Sequence, residues 1–423
     1  MGNYITFGDY NPKYKYIFFY ILTRLPYEYF FGDGFPEEMK IYFLRKENLP
    51  SSIFVYDIFK YLGMLIFGLI NIKFEFKSQV IQDEITKHEK KEIIRDIVLI
   101  YHETKQKFSF LSFIAMLIIY IIAIKISEFF YFFGLTGLDF WTLQLIFICL
   151  LNIILFKIKI YFHQKIAISI ILIFSTLMKT LTIISIYEND NDKKVYKEHI
   201  YLLFVGVISF LILFFIDSYV LCGIKWYLDL KFISTNKLMI HFGFLGFLFS
   251  IFFSIISSLI KCKNDEFSSH VCTVYEEESE KYFDHFLIFF NKVWSEKREA
   301  LINIGYLLIL LLKLFLTALY YFFCFLIIKF LSPEYFVSSD SILYFITKLI
   351  CLVFYIATNT LKNDFIFDCL TQLFSLLGTI IYLELIELNF CNLNYNLKKN
   401  IKIRAKNEAL DIYNIDNQSS EDE

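Results

Sequence analysis

The sequence predicts an all-α membrane protein, a polytopic bundle of about ten transmembrane helices. Three observations support this prediction. Hydrophobic residues make up 57% of the 423 residues, which is more than a soluble domain usually contains. They are gathered in long runs, as expected for helices that cross a bilayer. All five prolines lie outside the most apolar runs, where a freed backbone carbonyl would find no water.

The apolar runs set the predicted number of spans. A bilayer core of about 30 Å requires roughly 20 apolar residues in each helix. Two weaker runs come first. Run 16–33 contains Arg24, Pro26 and Glu28 and is expected to be short, tilted or interfacial, while run 54–73 begins with Asp57 and Lys60, which we expect to pair near the surface. Nine or eleven spans remain alternatives to ten. The strong runs are 108–127, 138–156, 166–187, 199–223, 238–260, 300–328, 341–358 and 365–386.

The spans divide the chain into six regions. These are 1–78 with the first two spans, 79–107 as a charged amphipathic helix on the cytosolic surface, 108–260 with the central spans, 261–299 as an extracytosolic loop, 300–386 with the last three spans, and 387–423 as a basic and then acidic tail. Within the loop, 282–294 is expected to form an interfacial helix. Lys and Arg are more frequent on the side of both termini, which predicts that both termini are cytosolic. Whether the membrane is the plasma membrane or an internal one is left open.

Several functional classes lack their sequence signals. The net charge of −2 gives no basic field for nucleic acid. The sequence has no Walker motif, HExxH, GxSxG or Gly-rich dinucleotide loop, so we expect neither an enzyme nor a cofactor. No Cys/His cluster indicates a metal site. Cys262 and Cys272 are the two cysteines of the 261–299 loop, and they are either a disulfide or two unrelated thiols.

Phe and Tyr are abundant, with 52 and 30 residues. One interpretation is that the sequence has drifted among apolar residues that are interchangeable where they face lipid. The other is an aromatic-lined binding path. The predicted partners are the lipid bilayer and a small-molecule solute, and a homodimer is left open.

Five charged residues lie inside predicted spans. Each is unfavourable by about 2.5–3.5 kcal/mol at the centre of a helix, so each requires a physical reason. In one interpretation they pair between helices and hold the bundle together. In the other, some of them face a water-filled cavity, where the lysines would favour an anionic solute and a carboxylate would supply a counter-charge or a proton site. The residues are Lys179, Asp217, Lys313, Lys348 and Asp368.

The second half of the chain contains the most specific motifs. "FLSPEYFVSSD" connects two spans, and the last span ends in "LLGTIIYLELIEL". Over about 198–392 the sequence resembles the drug/metabolite transporter superfamily, the EamA-like and nucleotide-sugar-transporter-like ten-helix carriers. The resemblance implies two inverted five-helix halves. It places Ser332 and Pro333 at the connection between the eighth and ninth spans, and Gly378, Tyr382 and Glu384 at the end of the tenth.

Glu384 and Glu387 are expected on one face of the last helix. In one interpretation they mark a span that ends at the interface. In the other, Tyr382 and Glu384 belong to an inward-facing gate that closes against a lysine. The sequence therefore predicts a secondary transporter that moves a small anionic solute by alternating access. The alternatives are a chemoreceptor or ion channel subunit, and a lipid scramblase or non-transporting membrane scaffold.

Overall fold

The computed structural model describes most of the membrane-spanning region. The described residues are 5–7, 12–31, 35–40, 52, 54–85, 114–123, 143–156, 160–188, 200–230, 234–262, 281–282, 285–294, 300–361 and 363–388. This part of the chain is almost entirely helical, which confirms the predicted all-α class.

A helix lies at each of the ten predicted spans, and one further short helix lies between them. In chain order the helices are α1 Lys15–Phe31, α2 Phe54–Ile85, α3 Ile114–Ala123, α4 Leu143–Phe156, α5 Phe162–Glu188, α6 Ile200–Leu230, α7 Thr235–Leu259, α8 Phe286–Val293, α9 Ala300–Phe330, α10 Pro333–Ala357 and α11 Asn363–Tyr382.

Six of these helices are long and apolar enough to cross a membrane, by length and composition. They are α2, α6, α7, α9, α10 and α11. The count of ten crossings remains a prediction.

Large apolar side chains face outward, as expected for a protein surrounded by lipid. Phe18 is 63% exposed, Val353 68% and Leu259 78%. The interior, by contrast, holds many small polar side chains such as Ser218 and Thr371, which are fully buried. In lipid, small and polar residues between helices allow close packing and hydrogen bonding. Together with the six apolar helices, this distribution indicates an integral membrane protein.

Helices α2 and α7 pack against each other in opposite directions. The backbone of α7 at Gly243 lies against Leu65, while Gly246 lies against the ring of Tyr61. Towards the other end of the contact, Gly68 lies against Ile240. Glycine is required at these points because a Cβ at Gly243 would lie 2.5 Å from the Leu65 nitrogen. The sequence therefore brings these two helices unusually close together.

Helices α5 and α11 form a second antiparallel pair. The rings of Phe174 and Phe374 stack at 4.2 Å between centroids, and Gly378 lies against Ile171. Helix α1 packs against α9 and α10, whereas α6 packs against α3 and α4. Likewise α9 contacts α2, and α3 contacts α7. These contacts map onto one another when α1–α5 are exchanged, in order, with α6, α7, α9, α10 and α11.

Two short antiparallel ladders accompany the helices. Strand β1 (Ile5–Phe7) pairs with β4 (Ile386–Leu388), so that Thr6 lies opposite Glu387. Strand β2 (Lys261–Cys262) pairs with β3 (Lys281–Tyr282). The first ladder joins the segment before α1 to the segment after α11.

Three boundaries differ from the prediction. Helix α2 continues without a break to Ile85, because no Gly or Pro interrupts it beyond the apolar run. Helix α10 begins at Pro333 rather than at 341, since proline is favourable at the first helical position. Helix α11 ends at Tyr382. Glu384 adopts a φ of 59°, which ends the helix, so the prediction that Glu384 and Glu387 share a helical face was wrong.

The predicted helix at 282–294 is present as α8. Phe289 and Val293 are buried in a small apolar cluster with Val55, Tyr306 and Leu310. Residues 86–107, Cys272 and the tail beyond 388 lie outside the described residues. The predictions for the charged helix, the disulfide and the tail therefore stay predictions.

Candidate functional site

A partly open cavity of about 350 Å³ lies between the helices of the bundle, and eight helices contribute to its wall. The helices are α1, α2, α3, α4, α6, α7, α9 and α10. Four charged residues line the cavity: Arg24, Lys60, Asp217 and Asp340. Gln144 and six tyrosines complete the polar lining, the tyrosines being Tyr20, Tyr27, Tyr120, Tyr320, Tyr321 and Tyr344. The volume falls at the lower end of the range for small-molecule sites, about 300–1,000 Å³.

Arg24 is held among aromatic rings. Its guanidinium carbon lies 4.9 Å from the ring centroid of Tyr27 and 4.4 Å from that of Tyr320. One nitrogen forms an ion pair of 2.6 Å with Glu28, one turn further along α1. Because Glu28 is only 7% exposed, this pair is shielded from water. Arg24 is therefore fixed in position, with both aromatic and ionic contacts.

Lys60 is the second cation of the cavity. Its ammonium lies 5.1 Å from the ring centroid of Tyr61 and 5.5 Å from that of Tyr321. Such contacts with the face of an aromatic ring favour a cation. Only 9% of Lys60 is exposed. The sequence interpretation placed Lys60 near the membrane surface, but the structure places it in the cavity wall.

The two carboxylates each accept a hydrogen bond from a neutral side chain. The hydroxyl of Tyr20 donates to Asp340 Oδ1 at 2.5 Å, which joins α1 to α10. The amide of Gln144 donates to Asp217 Oδ2, which joins α4 to α6. Each bond therefore connects one of the helices α1–α5 to one of α6, α7, α9, α10 and α11. Under the exchange of helices described above, the two bonds correspond to each other.

The cations Arg24 and Lys60 and the carboxylates Asp217 and Asp340 of the cavity wall do not form close ion pairs with each other in the described part of the chain. The cations lie on α1 and α2, against rings from α9. The carboxylates lie on α6 and α10. The cavity wall thus holds two cations, of which Arg24 is already paired with Glu28, and two carboxylates.

Of the five predicted intramembrane charges, the structure places Asp217 in the cavity. Lys313 is buried elsewhere, with its ammonium 4.0 Å from the ring centroid of Tyr56 and 5.2 Å from that of Phe31. Lys348 and Asp368 lie outside the cavity and form an ion pair of 2.5 Å between α10 and α11. The side chain of Lys179 is not among those described.

Exchanging the Lys348–Asp368 pair for apolar residues should leave the fold intact. Lys348→Met alone should reduce the free energy of unfolding by about 1–3 kcal/mol, because it leaves a carboxylate without its ion-pair partner in a partly buried site. Adding Asp368→Leu should restore most of that loss. Thermal unfolding in lipid nanodiscs measures both variants. A double variant less stable than Lys348→Met would contradict a structural pair.

The predicted gate residues lie beyond the cavity, near β4. Tyr382 is 7% exposed and lies within hydrogen-bonding reach of the Cys149 thiol on α4. Glu384 Oε1 lies 3.1 Å from Nε2 of the buried His163, at the start of α5. Nearby, the amide of Asn152 on α4 donates to the Glu334 carboxylate on α10. A second polar cluster therefore joins α4, α5, α10 and α11 at this end of the bundle.

Sequence reasoning did not select Arg24, Lys60 or Asp340 as site residues. Asp340 was assigned to a connection, yet the Ser332–Pro333 pair is a helix-start signal that places it two turns inside α10. Arg24 and Glu28 are four residues apart, the spacing of an ion pair on one helical face. That spacing could have marked a charge tolerated inside the membrane.

Neither metal binding nor family membership adds to this geometry. Among the described residues, no group of three or more His, Cys, Asp and Glu side chains is placed to hold a metal ion. No protein-family model matches the sequence, and comparison with curated proteins finds no match.

Proposed function

We propose that the chain is a secondary transporter that moves a small solute with an anionic group across a membrane. The observation on which this proposal depends is the cavity with Arg24 and Lys60 in its wall. Both cations are held by aromatic rings, and Lys60 forms no ion pair within 4 Å among the described residues, while the Asp57 carboxylate one turn earlier attracts its charge from further away. A bound anion would gain a charge-assisted contact where little water competes. Cofactors and catalysis are not part of the proposal.

The helix contacts support a carrier built of two inverted halves. The contacts of α1 with α9 and α10 correspond to those of α6 with α3 and α4, and the pairs α2–α7 and α5–α11 run antiparallel. Inverted repeats produce this pattern, with the solute site at the interface of the halves. The cavity is lined from both sets of five helices. These features favour ten crossings and the resemblance to the drug/metabolite transporter superfamily.

The β1–β4 ladder supports a topology in which both ends of the membrane region lie on the same side of the membrane. Because Ile5–Phe7 pairs with Ile386–Leu388, we expect the chain to start and finish its crossings on one side. Such an arrangement requires an even number of crossings, as in ten. The excess of Lys and Arg on this side makes it cytosolic in our proposal.

The polar cluster near this ladder is the proposed inward gate. The Asn152–Glu334 hydrogen bond joins α4 and α10 below the cavity. Lys225 Nζ donates to the carbonyl of Lys329 at 2.8 Å, which joins α6 and α9. Tyr382 and Glu384 lie at the edge of this cluster. Alternating access would require these bonds to open when the solute is released to the cytosol.

Uptake into reconstituted vesicles tests the proposal. Vesicles with purified protein are incubated with a mixture of cellular metabolites, and mass spectrometry identifies the solutes that enter. We expect one class of solute to enter, and Lys60→Met to reduce its uptake by about 10–150-fold, because a charge-assisted contact worth about 1.5–3 kcal/mol is lost.

Lys313→Met is the matched control, since Lys313 is an equally buried lysine over a tyrosine ring outside the cavity. This variant should retain uptake. Absence of any protein-dependent entry, or full uptake by Lys60→Met, would contradict the proposal.

A further inference from the structure

The cavity wall carries charged groups of both signs. These groups restrict the chemistry of the solute more than the cavity volume does. Lys60 and Arg24 contribute the positive groups, Arg24 with its ion pair to Glu28, and Asp217 and Asp340 contribute two carboxylates. Both signs face one space of about 350 Å³ without forming ion pairs with each other in the described part of the chain. A set of opposite charges held apart in this way is a complement for a molecule with two opposite charges.

Each carboxylate retains capacity to accept from a solute. Tyr20 donates to one oxygen of Asp340, Gln144 donates to one oxygen of Asp217, and the Tyr120 hydroxyl also lies within hydrogen-bonding reach of Asp217. An ionised carboxylate has about four acceptor positions on its two oxygens. The protein donors are neutral, so they orient the carboxylates without cancelling their charge. An ammonium group would gain charge-assisted hydrogen bonds from both.

Solutes with a single charge fit this cavity less well. An anion that reaches Arg24 and Lys60 also approaches the carboxylates, and a cation that reaches Asp217 and Asp340 also approaches the two basic groups. In a site of low effective dielectric these repulsions are not screened as they are in water. A molecule that places an anionic group at one pair and an ammonium at the other avoids both repulsions.

The rest of the wall is suited to an apolar portion of the solute. The rings of Phe242, Phe325 and Phe336 line the cavity together with those of the tyrosines. Aromatic rings bury apolar groups well and also stabilise cations on their faces.

We infer that the cavity binds a zwitterionic solute, with its anionic group at Arg24 and Lys60 and its ammonium at Asp217 and Asp340. The inference rests on the proposed transport function, whose substrate class it narrows. Free amino acids have this chemistry, and so does the phosphoethanolamine headgroup of a lipid.

Binding to purified protein compares three forms of one solute. The probes are each free amino acid, its N-acetyl derivative, which retains the carboxylate alone, and its amide, which retains the ammonium alone. We expect at least one free amino acid to bind about tenfold or more tightly than both derivatives. Equal or tighter binding of an N-acetyl derivative would overturn the inference, and so would a lack of binding by every zwitterion tested.

Two variants test which charged end of the solute contacts which pair of residues. Lys60→Met should weaken the free amino acid and its N-acetyl form but leave the amide unchanged. Asp340→Asn, which still accepts from Tyr20, should weaken the free amino acid and the amide but leave the N-acetyl form unchanged. Lys313→Met should bind like the native protein. Equal weakening of all three probes by both variants would indicate general disruption and would count against the assignment.

A further arm separates the two sources of the zwitterion. Glycerophosphoethanolamine is added as a competitor, and flipping of fluorescent phosphatidylethanolamine is measured in the same vesicles. If glycerophosphoethanolamine competes and phosphatidylethanolamine is flipped, the solute is a lipid headgroup. If amino acids compete and no lipid is flipped, the solute is a soluble molecule. If vesicles take up a different, singly charged class of solute, the transport function stands and the zwitterion inference fails. If a zwitterion binds but nothing enters, the transport function fails and the site assignment stands.

Discussion

Replacing Arg24 with Met should reduce the free energy of unfolding by about 3–5 kcal/mol. The ion pair with Glu28 is only 2.6 Å long, and the Glu28 side chain is 9% exposed. Without Arg24, a carboxylate remains inside the bundle with its ion-pair partner removed. The rings of Tyr27 and Tyr320 also lose the guanidinium between them. Equilibrium unfolding of the purified protein in detergent measures the loss.

The double variant Arg24→Met with Glu28→Gln separates charge from packing. If the unpaired carboxylate causes the loss, this variant should recover most of the stability. Arg24→Lys keeps the charge but not the planar group, so it should recover only part. Lys13→Met, at an exposed position before α1, is the control and should change stability little. Native stability in Arg24→Met would show that Arg24 does not hold Glu28.

Gly243→Val should have an effect of similar size, for a steric reason. A Cβ at this position would lie 2.5 Å from the Leu65 nitrogen and 2.8 Å from its Cα. Both are backbone atoms of α2, so no side chain can turn aside to make room. We expect α2 and α7 to separate, with a loss of at least about 3 kcal/mol. Thermal unfolding and the yield of monodisperse protein are the measurements.

Phe244→Val is the matched control for this variant. It introduces the same residue at the next position of α7, where the native side chain is 50% exposed. A loss in Phe244→Val equal to that in Gly243→Val would attribute the effect to valine in the helix. A loss confined to Gly243→Val would attribute it to the contact with α2.

The positions of the helices could be predicted from the sequence because the bilayer restricts what each segment can do. An apolar run of about 20 residues is stable there only as a helix, so local composition is sufficient. Helices therefore lie at each predicted run. The ends of α10 and α11 were less predictable, because they depend on Pro333 and on the left-handed backbone of Glu384.

The site could not be predicted in the same way. Lys60 and Lys313 are both lysines in apolar runs, and both lie over tyrosine rings, yet only Lys60 reaches the cavity. The difference arises from which helices pack together, and no local pattern encodes that. The abundance of tyrosine allowed two interpretations. Six tyrosines in the cavity wall support the interpretation of an aromatic-lined site.

The β1–β4 ladder has a consequence for the order of synthesis. Strand β1 leaves the ribosome first, whereas its partner Ile386–Leu388 follows only after the last helix. At the usual 5–20 residues per second, roughly 20–80 s separate the two strands. The hydrogen bond from Tyr20 to Asp340 must wait almost as long. The Arg24–Glu28 pair, by contrast, lies within about one turn of α1 and needs no later segment to form.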